Sequence, residues 1–162
     1  MTSWNDAAAA APDLAAAVQA RFEATGLGYL ATLRRDGSPR LSGVEPSFWN
    51  GEVWLGMMRD SLKARDLRRD PRCSLHAANI DKEVKEGDAR LSGLALEVDD
   101  DDVKRTWGKA LGGDGGYDPN EHGPFHLFRI DLTELYTLRP AGDHLVLEFW
   151  SPIGGLRSID RY

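Results

Sequence analysis

The first periodic stretch of the chain spaces its apolar residues as a helix does. Leu14, Val18 and Phe22 recur at every fourth position. Pro12 precedes them, where proline suits the first turn of a helix, and Gly26 follows them, where glycine suits its end. This spacing predicts a helix that begins near Pro12 and stops before Gly26.

After this helix the period changes to the alternation of apolar and polar positions that is typical of strands. Asp36-Gly37 and Asn50-Gly51 are hairpin signals, and Pro46 interrupts the stretch between them, as expected at a sheet edge or a bulge. The predicted strands cover residues 27–33, 38–49, 52–58, 72–80, 88–98, 124–138 and 143–150.

Two further short helices separate these strands. The helix over 60–71 has Asp60 or Ser61 as its N-cap and ends at Pro71, whereas the helix over 99–111 opens with aspartates, which favour the positive end of a helix dipole. Strands joined by hairpin turns dominate the chain, and strand–helix–strand alternation is absent. The pattern predicts a mainly β fold, an antiparallel β-barrel of about six to seven strands with peripheral helices.

Length and composition narrow the class of protein. The chain of 162 residues fits a single domain, with residues 1–11 expected to be flexible. A net charge of −6 argues against a general nucleic-acid-binding protein, and no apolar run is long enough to span a membrane. The single cysteine, Cys73, stands in an apolar run, which predicts a buried structural thiol. These features predict a cytoplasmic protein.

The start of the helix over 60–71 has the chemistry of an anion site. Free backbone N–H groups and the helix dipole attract negative charge there. Lys63 adds a full positive charge, Ser61 a hydroxyl donor and Arg59 a fork of donors, which together suit a phosphate monoester. The alternative is a capped surface helix with solvated basic residues.

The C-terminal segment carries unusually large side chains for a terminus. Trp150, Arg157 and Arg161 offer one planar indole and two guanidiniums, which would suit a flat ligand that bears a phosphate. The alternative is a docked terminal strand with both arginines in surface ion pairs.

Other chemistry finds no support in the sequence. The glycine-rich stretch over 112–123 matches neither a dinucleotide fingerprint nor a Walker motif. His76, His122, His126 and His144 lack the partners of a metal site, so no metal is predicted. No side-chain nucleophile stands in a hydrolase motif.

Three segments resemble the pyridoxamine 5'-phosphate oxidase-like family of FMN-binding split β-barrels. "LGYLATLRRDGSPRLSGVEPSFWNGEVWLGM" is similar to the opening strands of that family. "RDSLKARDLRRDPRCSL" resembles its phosphate-binding helix, and "RLSGLALEVDDDD" resembles the strand that follows. The segments span about residues 27–102, and the tail "EFWSPIGGLRSIDR" resembles the family's C-terminal motif.

The resemblance implies a fold, a cofactor and a partner. It implies an antiparallel split barrel that forms a homodimer, with FMN at the two-fold interface. Arg157 is expected to face the substrate, and no catalytic residue is assigned. The cofactor-binding residues implied are Arg40, Leu41, Ser42, Met57, Met58, Arg59, Ser61, Lys63, Trp150 and Arg161.

Two positions depart from the family pattern. Ile159 stands where the family has a substrate-contacting histidine, and Leu62 stands where many members have a second phosphate-binding arginine. We therefore expect an FMN-dependent oxidoreductase that transfers hydride to or from a small organic molecule, other than pyridoxamine phosphate oxidase itself. The alternatives are a reductase that uses the deazaflavin coenzyme F-420 and a non-enzymatic module that binds flavin or haem.

A few further residues are open to two interpretations. Trp49, Trp54 and Trp150 lie on predicted strands and fit either an aromatic dimer interface or the core. Glu45 and Tyr117 are proton-donor candidates by residue type alone.

Overall fold

The computed structural model describes residues 1–111 and 123–162, which form four helices and nine strands. The helices are α1 (Trp4–Ala10), α2 (Pro12–Glu23), α3 (Leu62–Arg69) and α4 (Asp101–Leu111). The strands are β1 (Gly28–Leu33), β2 (Pro39–Val44), β3 (Ser47–Trp49), β4 (Glu52–Met58), β5 (Arg72–Ala77), β6 (Asp88–Glu97), β7 (Phe125–Ala141), β8 (His144–Ser151) and β9 (Gly155–Arg161).

All strand pairs are antiparallel and belong to one sheet. The order is β2-β1-β5-β6-β7-β4-β3, and the hairpin of β8 and β9 pairs with the second half of β7. This architecture confirms the predicted mainly β fold with peripheral helices. The described residues hold nine strands rather than six or seven, because the break at Pro46 separates β3 from β2 and the C-terminal segment forms β9.

The hairpin of β3 and β4 shows how a local signal fixes the register. Asn50 and Gly51 both have positive φ angles, of 50° and 74°, as a two-residue hairpin turn requires. The turn also packs on α1: the Asn5 backbone N–H donates to the Gly51 carbonyl at 3.0 Å. A Cβ atom at Gly51 would overlap the Asn5 side chain, which would have to shift, so glycine suits this position in space as well as in conformation.

The N-terminal segment differs from the expected flexible stretch over 1–11. It contains α1, which opens with a capping box formed by Ser3 and Asp6. Trp4 and Ala7 are buried, and the Trp4 ring meets the Phe48 ring edge-on at 4.6 Å. Alanine loses no side-chain entropy on burial, so this alanine-rich segment can pack closely. The alanine content alone did not predict that the segment would be ordered.

Two clusters of buried side chains make up the interior. The larger lies between α2 and the sheet, where Leu14, Val18 and Phe22 are buried as their spacing predicts. The smaller lies under α4. Trp54 and Trp150 are 5% and 4% exposed, so these two tryptophans belong to the core and the interface alternative is wrong for them in this chain. The smaller cluster consists of Trp54, Trp107, Phe125 and Leu127.

None of the helices in 1–111 and 123–162 has the length and apolar character that crossing a membrane requires.

Candidate functional site

One large cavity, of about 900 Å³, opens where the ends of β2 and β4 meet the first turn of α3 and the last turns of α4. The edge strand β2 and the helix α4 both contribute to its walls. The described residues that line it are 27–29, 43–45, 56–59 and 123–125, with Lys63, Ala78, Trp107, Gly108 and Leu111.

One end of the cavity carries positive charge. The Lys63 Nζ atom donates a hydrogen bond to the Gly43 carbonyl at 3.0 Å, which holds the ammonium group at the rim. Arg59 also lines the cavity, and its side chain is 68% exposed beside Asp60. Ser61 takes the N-cap position of α3, as predicted, but makes no capping bond. Its hydroxyl oxygen is buried and finds no hydrogen-bond partner among the described residues, and Ser61 does not line the cavity.

One wall of the cavity is aromatic and fixed in place. The Trp107 indole stacks on the Phe125 ring with centroids 5.6 Å apart, and its Nε1 atom donates to the Ser47 hydroxyl at 3.0 Å. Gly56 makes room for the indole, because a Cβ atom there would lie 2.5 Å from the Trp107 ring. A flat apolar ligand would therefore meet a rigid surface here.

A buried carboxylate next to the cavity organises α3 against the sheet. Asp66 is 4% exposed and accepts hydrogen bonds from Arg40 at 2.6 Å, from Thr32 at 3.0 Å and from Arg69 at 3.2 Å. Burial by itself raises the pKa of Asp66. The three donors together outweigh burial and hold the pKa below its ordinary value. The carboxylate therefore stays ionised and anchors α3 to β1 and β2.

The chain matches the model of a known protein family. The family model of pyridoxamine 5'-phosphate oxidase matches residues 14–139, which is more than half of the chain. The chain belongs to the pyridoxamine 5'-phosphate oxidase family. The match covers β1 to β7, including every element that lines the cavity.

Several proteins of known structure have a similar fold. PhzG from Burkholderia lata, in complex with tetrahydrophenazine-1-carboxylic acid, has a TM-score of 0.64 at 16% identity over 92% of this chain and 88% of that chain. A pyridoxamine 5'-phosphate oxidase-related, FMN-binding protein from Nostoc punctiforme has a TM-score of 0.61 at 16% identity over 94% and 96%. An F420 reductase has a TM-score of 0.53 at 18% identity over 67% and 87%. At these identities the likeness shows the fold alone.

Four of the cofactor residues implied by the family resemblance line the cavity, namely Met57, Met58, Arg59 and Lys63. Met57 is buried, whereas Met58 is 80% exposed at the mouth. Leu62, which departs from the family's arginine, is 57% exposed on α3. Arg59 supplies a second cation from the preceding turn.

The three β2 residues that were expected to bind the cofactor, Arg40, Leu41 and Ser42, do not line the cavity. Leu41 is 70% exposed, and Ser42 is half-buried on the other face of the strand. Gly43 lines the cavity instead. Arg40 is bound to Asp66 and so holds α3 against the sheet, and its expected contact with the cofactor stays a prediction.

The tail residues lie away from the cavity of their own chain. Trp150 is packed in the larger core cluster and is 4% exposed, and its expected contact with the cofactor stays a prediction. Arg157 and Arg161 lie on β9, all of whose residues are exposed. Ile159, in place of the family histidine, is 42% exposed on the same strand.

The sequence did not indicate several of the residues that line the cavity. Tyr29 lies in a correctly predicted strand, but its outward position at the cavity depends on the pairing of β1 with β2. Trp107 stands in a correctly predicted helix whose docking on Gly56 is a tertiary event. Glu45 lines the cavity, whereas Tyr117 and His122 lie outside the described residues.

Cys73 is a structural residue, as its surroundings predict. The thiol is 8% exposed, and its Sγ atom lies 3.5 Å from the Gly93 carbonyl. Burial raises the pKa of Cys73 to about 12, so the nucleophilic thiolate is scarce at neutral pH.

Proposed function

We propose that the chain binds FMN in the cavity and acts as a flavin-dependent oxidoreductase on a small organic substrate. The supporting observation is that one cavity of about 900 Å³ is lined both by two cations, Lys63 and Arg59, and by a fixed aromatic wall. FMN needs both features, because it carries a phosphate at one end and a flat ring system at the other.

The residues present fit this cofactor. Lys63 and Arg59, which both line the cavity, would bind the phosphate through charge-assisted hydrogen bonds. β2 is the last strand of its ladder, so backbone groups on its outer side, apart from the Gly43 carbonyl that accepts from Lys63, are available to the polar edge of a ring. Trp107 shields the apolar side.

Bound FMN would supply the hydride chemistry, and the protein would bind and orient it and exclude water. Glu45 and Tyr29 line the cavity with a carboxyl and a phenol group. We assign neither as a proton donor, because the described contacts do not aim either group at a reacting atom.

We also propose that a second copy completes the site. One cross-strand row on the outer face of the sheet runs from the cavity rim to the tail. The row consists of register partners in the order Gly43, Tyr29, His76, Arg90, Tyr136, Phe149 and Arg157. Within it the Arg90 guanidinium lies 4.6 Å from the Tyr136 ring centroid, and the Tyr136 and Phe149 rings are 5.0 Å apart.

Such a row has the composition of an interface, since aromatic residues and arginine are enriched there. If the two-fold axis crosses this row at right angles, the rows of the two copies run in opposite directions. The Arg157 end of one copy would then lie over the Gly43 end of the other, beside its cavity. This arrangement would bring Arg157 and Arg161 to a cofactor that their own chain does not reach.

Complementation between two defective variants tests the shared site. Lys63→Ala and Arg157→Ala should each impair the protein alone. After subunit exchange, the mixed dimers contain one cavity with both native residues, and about one quarter of the sites should recover. If the mixture, with its dimer mass verified, were no more active than the two separate variants, this result would contradict the shared site.

The absorbance spectrum of the purified protein is the first test of the cofactor, with mass spectrometry of the released ligand. FMN gives a yellow protein with flavin bands. If Lys63→Ala and Arg161→Ala both left FMN affinity unchanged, the proposed site would be wrong. Loss of a charge-assisted phosphate contact should cost about 1.5–3 kcal/mol of binding free energy.

Two other functions remain testable with the same protein. The similar fold of an F420 reductase favours coenzyme F-420 as the alternative cofactor. A protein made in a host without F-420 would then be colourless and would gain the deazaflavin spectrum on titration. A non-enzymatic flavin or haem module would bind its ligand without turnover across a panel of electron acceptors.

A further inference from the structure

The turn between β4 and α3 brings Arg59 into the cavity, and it has an unusual backbone. Asp60 has a φ angle of 57°, in the left-handed region that residues other than glycine seldom adopt. Its N–H group donates a hydrogen bond to the Nε2 atom of His126, at 3.2 Å. A side chain from β7 therefore holds the turn in this conformation.

The partners of His126 define which of its nitrogens carries the proton. Nε2 accepts from the Asp60 N–H, so it is unprotonated, and Nδ1 donates to the Glu97 Oε1 atom at 2.6 Å. The other oxygen of Glu97 lies 2.9 Å from Arg68 Nε, on α3. A neutral imidazole thus links the turn before α3 to a carboxylate that also binds α3.

This chain of contacts is partly shielded from water. The side chains of His126 and Glu97 are 15% and 25% exposed. His126 is the register partner of Met57, which lines the cavity, but His126 itself does not line it. Its effect on a ligand must therefore pass through the turn.

We propose that His126 is a positioning residue for the anion-binding end of the cavity. By holding the Asp60 N–H, it fixes the turn that brings Arg59 to the cavity, where the guanidinium would face a phosphate. This inference rests on the proposed function, because it takes the phosphate of FMN as the anion. It predicts a contribution to phosphate affinity and none to ring affinity.

Two substitutions of His126 separate the hydrogen bond from packing. His126→Gln retains an acceptor that reaches the Asp60 N–H, whereas His126→Leu fills the space without one. We expect His126→Leu to weaken FMN binding by about tenfold and to leave riboflavin binding unchanged, since riboflavin lacks the phosphate. His126→Gln should recover most of the FMN affinity. Equal losses for both ligands, or no loss for either, would overturn the proposal.

A readout without flavin keeps this inference distinct from the proposed function. The backbone amide of Asp60 should exchange with deuterium faster in His126→Leu than in the wild type and His126→Gln. His144→Leu, a change on β8 away from this turn, is the matched control and should alter neither exchange nor binding. If the wild type bound neither FMN nor riboflavin, the proposed function would fail. Unchanged exchange at Asp60 in His126→Leu would overturn the positioning role by itself.

Discussion

The Nζ atom of Lys63 lies 3.0 Å from the carbonyl oxygen of Gly43, so the first turn of α3 is tied to the edge strand of the sheet across the mouth of the cavity. An ammonium group has three donors, and this bond uses one. The contact therefore orients Lys63 without consuming its charge.

Lys63→Met should weaken FMN binding by about tenfold to a hundredfold, since a charge-assisted contact is worth about 1.5–3 kcal/mol. Riboflavin binding should change little. Lys82→Met, in a distant exposed loop, is the control for a general loss of positive charge. Fluorescence titration of both ligands measures the effect, and a parallel loss for riboflavin would argue against phosphate recognition by Lys63.

Gly43→Leu should block the cavity without disturbing the fold. Gly43 has an ordinary strand backbone, and a Cβ atom there would meet no atom within 4 Å, so the new side chain would project into open space. We expect loss of FMN binding with an unchanged melting temperature. Leu41→Phe adds bulk to the same face of β2 outside the cavity lining and should retain binding.

Asp66→Asn should destabilise the protein by about 2–3 kcal/mol at neutral pH, because it removes the charge that binds Arg40. The pKa of Asp66 is lowered on folding from an ordinary value of 3.8. Its stabilisation is therefore present above that value and is lost as the pH falls through the lower folded pKa.

Urea unfolding between pH 2.5 and 7 checks this assignment. The wild type should lose stability below about pH 4 more steeply than Asp66→Asn. Asp160→Asn, on the exposed strand β9, should leave the wild-type pH profile intact. Parallel profiles for the wild type and Asp66→Asn would show that another group dominates the acid limb.

Gly51→Ala should destabilise the protein more than Gly37→Ala. Both glycines have positive φ angles, of 74° and 83°, so each alanine costs about 1–2 kcal/mol in backbone energy. A Cβ atom at Gly37 meets nothing within 4 Å, whereas at Gly51 it overlaps the Asn5 side chain. The difference between the two unfolding free energies isolates the packing of this hairpin on α1, and equal costs would indicate that Asn5 moves aside freely.

Cys73 should resist alkylation in the folded protein, since burial raises the pKa of the thiol to about 12. Iodoacetamide at pH 8 should label it slowly in buffer and rapidly in urea, as followed by mass spectrometry. Equal rates in the two solvents would mean that β5 opens readily.

Local signals place most of the secondary structure. The helix spacing of Leu14, Val18 and Phe22 and the hairpin at Asn50-Gly51 depend on neighbours in the chain, so they are readable from the sequence. The start of α3, with Ser61 at the N-cap, is readable for the same reason. The structure of residues 1–11 is not readable from the sequence, because the burial of Trp4 depends on its contact with Phe48.

Only the tertiary structure decides which residues share the cavity. Arg40 and Lys63 are both cations near α3, yet the fold turns Arg40 inward onto Asp66 and holds Lys63 at the rim. Trp107 and His126 gain their places through contacts with Gly56 and Asp60, far away in sequence. Periodicity encodes which face of an element is apolar, but which elements meet depends on the packing of the whole sheet, which no local pattern contains.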